Sequence, residues 1–95
     1  MPDNEQGKEL RRHGRRNYEN TIHYCLNPRS DEGLLIGYGI DISEFGISMV
    51  TSYLLQKGQE ITIKSSLPVA HRSAIVRWIK KHKENWYQVG LEFTV

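Results

Sequence analysis

Ninety-five residues make one ordinary domain, and 38% apolar with 25% charged residues are the proportions of a globular chain with a single modest core. No run approaches the ~20 consecutive apolar residues of a membrane span, the opening MPDNEQGKEL has no apolar centre such as a secretory signal needs, and Cys25, the lone cysteine, excludes an internal disulfide and suits a reducing cytoplasm. The net charge of +2 is small but unevenly spread: Lys8, Arg11, Arg12, Arg15 and Arg16 surround one Glu9, and Arg77, Lys80, Lys81 and Lys83 gather later, which points to an anionic partner.

In chain order, residues 1–17 are polar and aperiodic and read as a flexible basic arm ahead of a folded body over 18–95. Ile22, Tyr24 and Leu26 alternate with Thr21, His23 and Cys25 as in a strand, and Asn27-Pro28 ends it. The clearest alternation comes next. Leu34, Ile36, Tyr38, Ile40 and Ile42 share one face, expected to be inward, while Leu35, Gly37, Gly39, Asp41 and Ser43 share the other. A short strand is expected over 47–50, a helical turn over 51–57 ended by Gly58, and another strand over 60–64. Two final strands, 73–81 and 86–93, are joined by a polar turn, with Tyr87, Val89, Leu91 and Phe93 on one side of the last. About six short strands and no long helix predict an all-β domain, a small antiparallel barrel or sandwich. The last strand runs to the final residues, so little or no C-terminal helix is expected.

Catalytic chemistry finds no foothold. The histidines at 13, 23, 71 and 82 lack the spacing of a metal pair, and the single cysteine adds no second ligand, so no metal site is expected. His23 and Cys25 share a strand face without an oxyanion-hole or nucleophile-elbow motif, and His13 lies in the arm, where nothing orients a base. The chain is expected to bind rather than catalyse.

Two elements remain. In Arg11-Arg12-His13-Gly14-Arg15-Arg16, an Arg-x-x-x-Arg spacing lets two guanidinium forks converge on one anion, gripping phosphate bidentately or stacking on a purine. In Asp41-Ile42-Ser43-Glu44-Phe45-Gly46, the carboxylate can accept two hydrogen bonds from the N1 and N2 edge of guanine, the hydroxyl can bond beside it, and Gly46 admits a tight or positive-φ turn. Each alone also fits a duller description, a solubilising tail or a plain β-turn.

Together, an Arg-x-x-x-Arg arm before the first strand and an Asp-x-Ser-x-x-Gly element some thirty residues on resemble the PilZ domain, the bacterial receptor module for cyclic di-GMP. The segments 74–78 and 89–93 also resemble that family's last two strands. The resemblance implies a six-stranded antiparallel β-barrel, bacterial and cytoplasmic, with cyclic di-GMP as ligand, no other cofactor, a downstream protein partner, and neither membrane insertion nor DNA binding. It implies that Arg11 and Arg15 hold phosphates and stack on guanine beside Arg12, that Asp41 and Ser43 read a guanine edge, and that Gly46 shapes the turn. Arg12 and Arg16 make an overlapping match one residue out of frame. Trp78 matches a ligand-contacting tryptophan of some members and equally suits a core aromatic. Two other readings stay open: a small barrel binding single-stranded nucleic acid through its lysines and tryptophans, and a PilZ-like protein-interaction module that binds no nucleotide.

Overall fold

The computed structural model describes residues 14–26 and 33–94. Arg11 and Arg12 lie outside them. All regular structure among the described residues is strand: β1 (Arg16–Asn17), β2 (Thr21–Cys25), β3 (Leu35–Ile42), β4 (Gly46–Thr51), β5 (Glu60–Ile63), β6 (Ser73–Lys83) and β7 (Trp86–Phe93). Every pairing is antiparallel. In the order β3-β2-β5-β6-β7-β4, with β4 returning to β3, six strands close a barrel. The helical turn expected over 51–57 is absent. Thr51 ends β4, Leu55 is the one apolar side chain of that stretch that drops into the core, and Tyr53 and Leu54 are exposed, so no helical apolar stripe exists to be buried.

β1 is the extra strand. Arg16 and Asn17, expected within the arm, pair with Ile42 and Asp41 of β3, on the flank that β2 uses further along. Between β1 and β2 the chain never leaves β3: Tyr18 N donates to Ile40 O at 2.9 Å and Gly39 N to Asn20 O at 2.8 Å. The run from Arg16 to Cys25 is therefore one bent strand, interrupted where Tyr18 turns its ring toward the core.

The faces of β3 are opposite to those expected over its first half. Leu34, Ile36 and Tyr38 point outward, and Leu35, Gly37 and Gly39 point inward. Inward space is the reason. A Cβ at Gly37 would lie 2.6 Å from Met49 Sδ, and one at Gly39 would collide with the carbonyl oxygen of Tyr18, so only glycine lets these neighbours in. A bulge between Gly39 and Asp41 then shifts the register, returning Ile42 to the core and turning Asp41 outward beside Ser48. β6 does the same: Ala74 and Val76 are buried, a bulge at Arg77 follows, and Trp78 emerges on the outer face while Ile79 packs on the core. In β7 the alternation is as expected, with Val89, Leu91 and Phe93 buried.

The barrel closes over Ile22, Tyr24, Ile42, Met49, Ile61, Ile63, Val76 and Val89, all essentially without solvent contact. Each such apolar side chain contributes about 1.5–3 kcal/mol of transfer free energy. One polar chain crosses the interior. Thr51 Oγ1 donates to Ile36 O at 3.3 Å, so Tyr24 is the donor in its 2.6 Å bond to Thr51 Oγ1. Burial pushes the Tyr24 phenol above its ordinary pKa.

Candidate functional site

The two bulges put four residues in one row across the outer face. Asp41 of β3 pairs with Ser48 of β4, Ser48 with Gly90 of β7, and Gly90 with Trp78 of β6. The middle of the row is Ser and Gly, so the face is hollow there. The hollow has a volume of about 430 Å³, and its walls include Arg15, Ser43, Gly46 and Trp78.

Ser48 Oγ donates to Asp41 Oδ1 at 2.8 Å, and Arg15 Nη1 lies 3.7 Å from the same oxygen. The second carboxylate oxygen has no hydrogen-bond partner among the described residues. Arg15 is half exposed, so its attraction to Asp41 is worth at most about 1 kcal/mol. A ligand phosphate can draw that guanidinium away cheaply. Ser48 is buried and holds the carboxylate from below.

The turn joining β3 to β4 is built by Ser43 and Gly46. Ser43 N donates to Gly46 O at 2.8 Å, and Ser43 Oγ accepts from Phe45 N at 3.1 Å. Gly14 lies against Ser43, where its Cβ would stand 3.9 Å from that of Ser43. Of the two uses expected of Gly46, a tight turn and a positive φ, the structure shows the first. Its φ is not positive; a Cβ there would strike the Leu91 carbonyl of β7.

Trp78 is half-buried and stands outside the core cluster, which settles its position against the core-aromatic alternative. Its indole lies flat on Gly90, where any Cβ would overlap the ring. Lys80 Nζ sits 5.4 Å from the ring centroid, within cation–π range. Beyond it, Arg77 Nε donates to Glu92 Oε1 at 2.5 Å on the hollow's far side. Phe45, 78% exposed, stands at its edge.

The fold thus gathers Arg15, Asp41, Ser43, Gly46 and Trp78 in one neighbourhood. Arg16 pairs with Ile42 and Asn17 with Asp41, and both line a second, shallower depression together with Arg15 and Asp41. Sequence reasoning missed Ser48, Gly90 and the Arg77–Glu92 pair. Their signal is cross-strand register, which no local pattern carries. The arrangement offers a carboxylate acceptor, a movable guanidinium and an aromatic plane around a hollow, which suits a planar, hydrogen-bonding anion. Among the described residues, no three His, Cys, Asp or Glu side chains are grouped to hold a metal ion, and no helix is long and apolar enough to cross a membrane.

Against known protein families, residues 9–95 match the PilZ domain. No curated protein matches the chain.

Proposed function

This chain belongs to the PilZ family, a family of cyclic di-GMP receptors that are generally non-catalytic, and we propose that it binds cyclic di-GMP in the hollow beside β1, with its arginine arm closing over the ligand. The observation that carries this is Arg15, which lies 3.7 Å from Asp41 and lines the same hollow as Ser43, Ser48 and Trp78. Asp41 accepts from the N1 and N2 edge of a guanine, Ser43 bonds beside it, and Gly46 keeps the turn tight against β7. Arg15 leaves Asp41 for a phosphate, Arg11 and Arg12 join it from the arm, and Trp78 offers its face to the second guanine. Arg15, which reaches both Asp41 and the hollow that Trp78 lines, supports the Arg11–Arg15 frame over the Arg12–Arg16 one.

Ordering some eight backbone residues costs on the order of 10 kcal/mol. Charge-assisted hydrogen bonds return roughly 1.5–3 kcal/mol each, and guanidinium or lysine over an aromatic plane adds about 1–2 kcal/mol. Several contacts must therefore form together, which makes closure a disorder-to-order switch. Arg16 and Asn17 are already paired with β3, so less chain remains to be ordered. On this reading the protein acts in the bacterial cytoplasm, and the closed arm is what a downstream protein recognises.

Isothermal titration of cyclic di-GMP into the protein tests this, with Arg15→Ala and GTP alongside. The expected result is saturable heat at micromolar or tighter affinity, weakened about tenfold or more by the substitution and not matched by GTP. No heat with the unaltered protein refutes the reading.

A further inference from the structure

Beyond the hollow, further back along the same strands, the chemistry of the outer face reverses. Leu34, Ile36 and Tyr38 stand on one side of the chain at β3 and are 48%, 48% and 50% exposed. The ring of Trp86, at the start of β7, meets that of Tyr38 with centroids 5.9 Å apart. Isolated exposed apolar side chains are ordinary, but a contiguous group of aliphatics and aromatics marks an interaction surface. At Gly37 and Tyr38, β3 is paired on both flanks, with β2 and with β4, which leaves no open edge there for backbone addition.

The rim is charged on one side. The row from Tyr38 runs through Val50 and Gln88 to Lys80, and Lys83 is the register partner of Trp86. Neither lysine makes an ion pair among the described residues, and Lys80, whose Nζ lies 5.4 Å from the Trp78 ring centroid, stands where the patch meets the hollow. On the other side, Thr21 and His23 are the register partners of Tyr38 and Ile36. Neither of these two register partners is a carboxylate with which a second copy could answer the lysines. Nucleic acid would use the rings and lysines but leave Leu34 and Ile36 without a complement.

We propose that this patch docks a protein segment presenting apolar side chains flanked by acidic ones. Ile36, Tyr38 and Trp86 take the apolar anchors, and Lys80 and Lys83 take the carboxylates. The surface is complete without ligand, so the inference does not depend on cyclic di-GMP binding.

The test is an NMR titration of the ligand-free protein with a short peptide of alternating leucine and glutamate. The same peptide with lysine for glutamate, and single-stranded oligothymidylate, are run beside it. The acidic peptide should shift the amide signals of Ile36, Tyr38 and Trp86 saturably. Tyr38→Ser should weaken it about tenfold and Lys80→Glu about threefold, with melting temperatures held, since both side chains are on the surface. Four results would each overturn the proposal: no saturable shift, equal binding of the lysine peptide, shifts of the same signals by oligothymidylate, or dimerisation of the protein that Tyr38→Ser abolishes.

Discussion

Two ends of one outer face make the instructive contrast. Strands β3, β4, β6 and β7 all pass under both. At one end their outward residues are Asp41, Ser48, Gly90 and Trp78; at the other they include Tyr38, Trp86 and Lys80. The backbone scaffold is common, so the difference lies in side-chain volume and in what each end does with water. Ser and Gly in the middle of the first row leave a hollow lined by a guanidinium and an indole, with the Asp41 carboxylate beside that guanidinium. Large, half-exposed side chains make the second end a raised apolar surface. A hollow with fixed polar groups suits a small ligand, and a raised apolar surface suits a macromolecule.

The largest effect that separates the two ends is at Asp41. Asp41→Asn keeps an acceptor for Ser48 but sets an amide N–H against the guanine N–H donors. Cyclic di-GMP affinity should fall about ten- to a hundredfold, a loss of roughly 1.5–3 kcal/mol, and calorimetric titration reads it directly. The Ile36 and Tyr38 NMR signals should not move. Gly39→Ala tests whether β1 is held by the space above Gly39. The new Cβ would collide with the Tyr18 carbonyl and press on its ring, costing about 1–3 kcal/mol in denaturant unfolding. It should also weaken ligand binding, because lifting Tyr18 loosens β1 and with it Arg15. Ser48→Ala removes the bond that steadies Asp41; affinity should drop severalfold, near 1 kcal/mol, with the melting temperature almost unchanged.

The smallest effect at neutral pH belongs under the apolar end, where the Tyr24–Thr51–Ile36 chain supports β3 from inside. Tyr24→Phe should cost about 1 kcal/mol. The raised pKa of Tyr24 also has a sign that can be checked. The folded state holds the phenol proton more tightly than the unfolded chain, so this stability is complete below the unfolded value of about 10. It is lost as pH rises from there through the higher folded value. Urea unfolding at increasing alkaline pH should show that decline, and Tyr24→Phe should flatten it.

Much of the fold and the site was legible in the residues themselves. Short alternating runs with polar turns announced an all-β barrel or sandwich, and the last strand's inward set, Val89, Leu91 and Phe93, followed from period two alone. Arg15, Asp41, Ser43 and Gly46 could be chosen because their chemistry is written in local spacing. The inward face of β3 could not. Its inward glycines at 37 and 39 contribute space rather than hydrophobicity, and the bulge after Gly39 resets the phase, so a pattern of apolar residues chose the wrong side. The same kind of shift at Arg77 hid which way Trp78 faces. Ser48 and Gly90 were invisible for another reason: each matters only through the residue opposite it, and register is set by the closed barrel.

The chain's two tryptophans stand one at each end, which makes the central claim directly measurable. Cyclic di-GMP should be titrated, with fluorescence detection, into Trp86→Phe, which retains only Trp78, and into Trp78→Phe, which retains only Trp86. A saturable change in the Trp78-only protein, with the Trp86-only protein unresponsive, is the result expected if the ligand occupies the hollow. A response confined to the Trp86-only protein, or none in either, would contradict it.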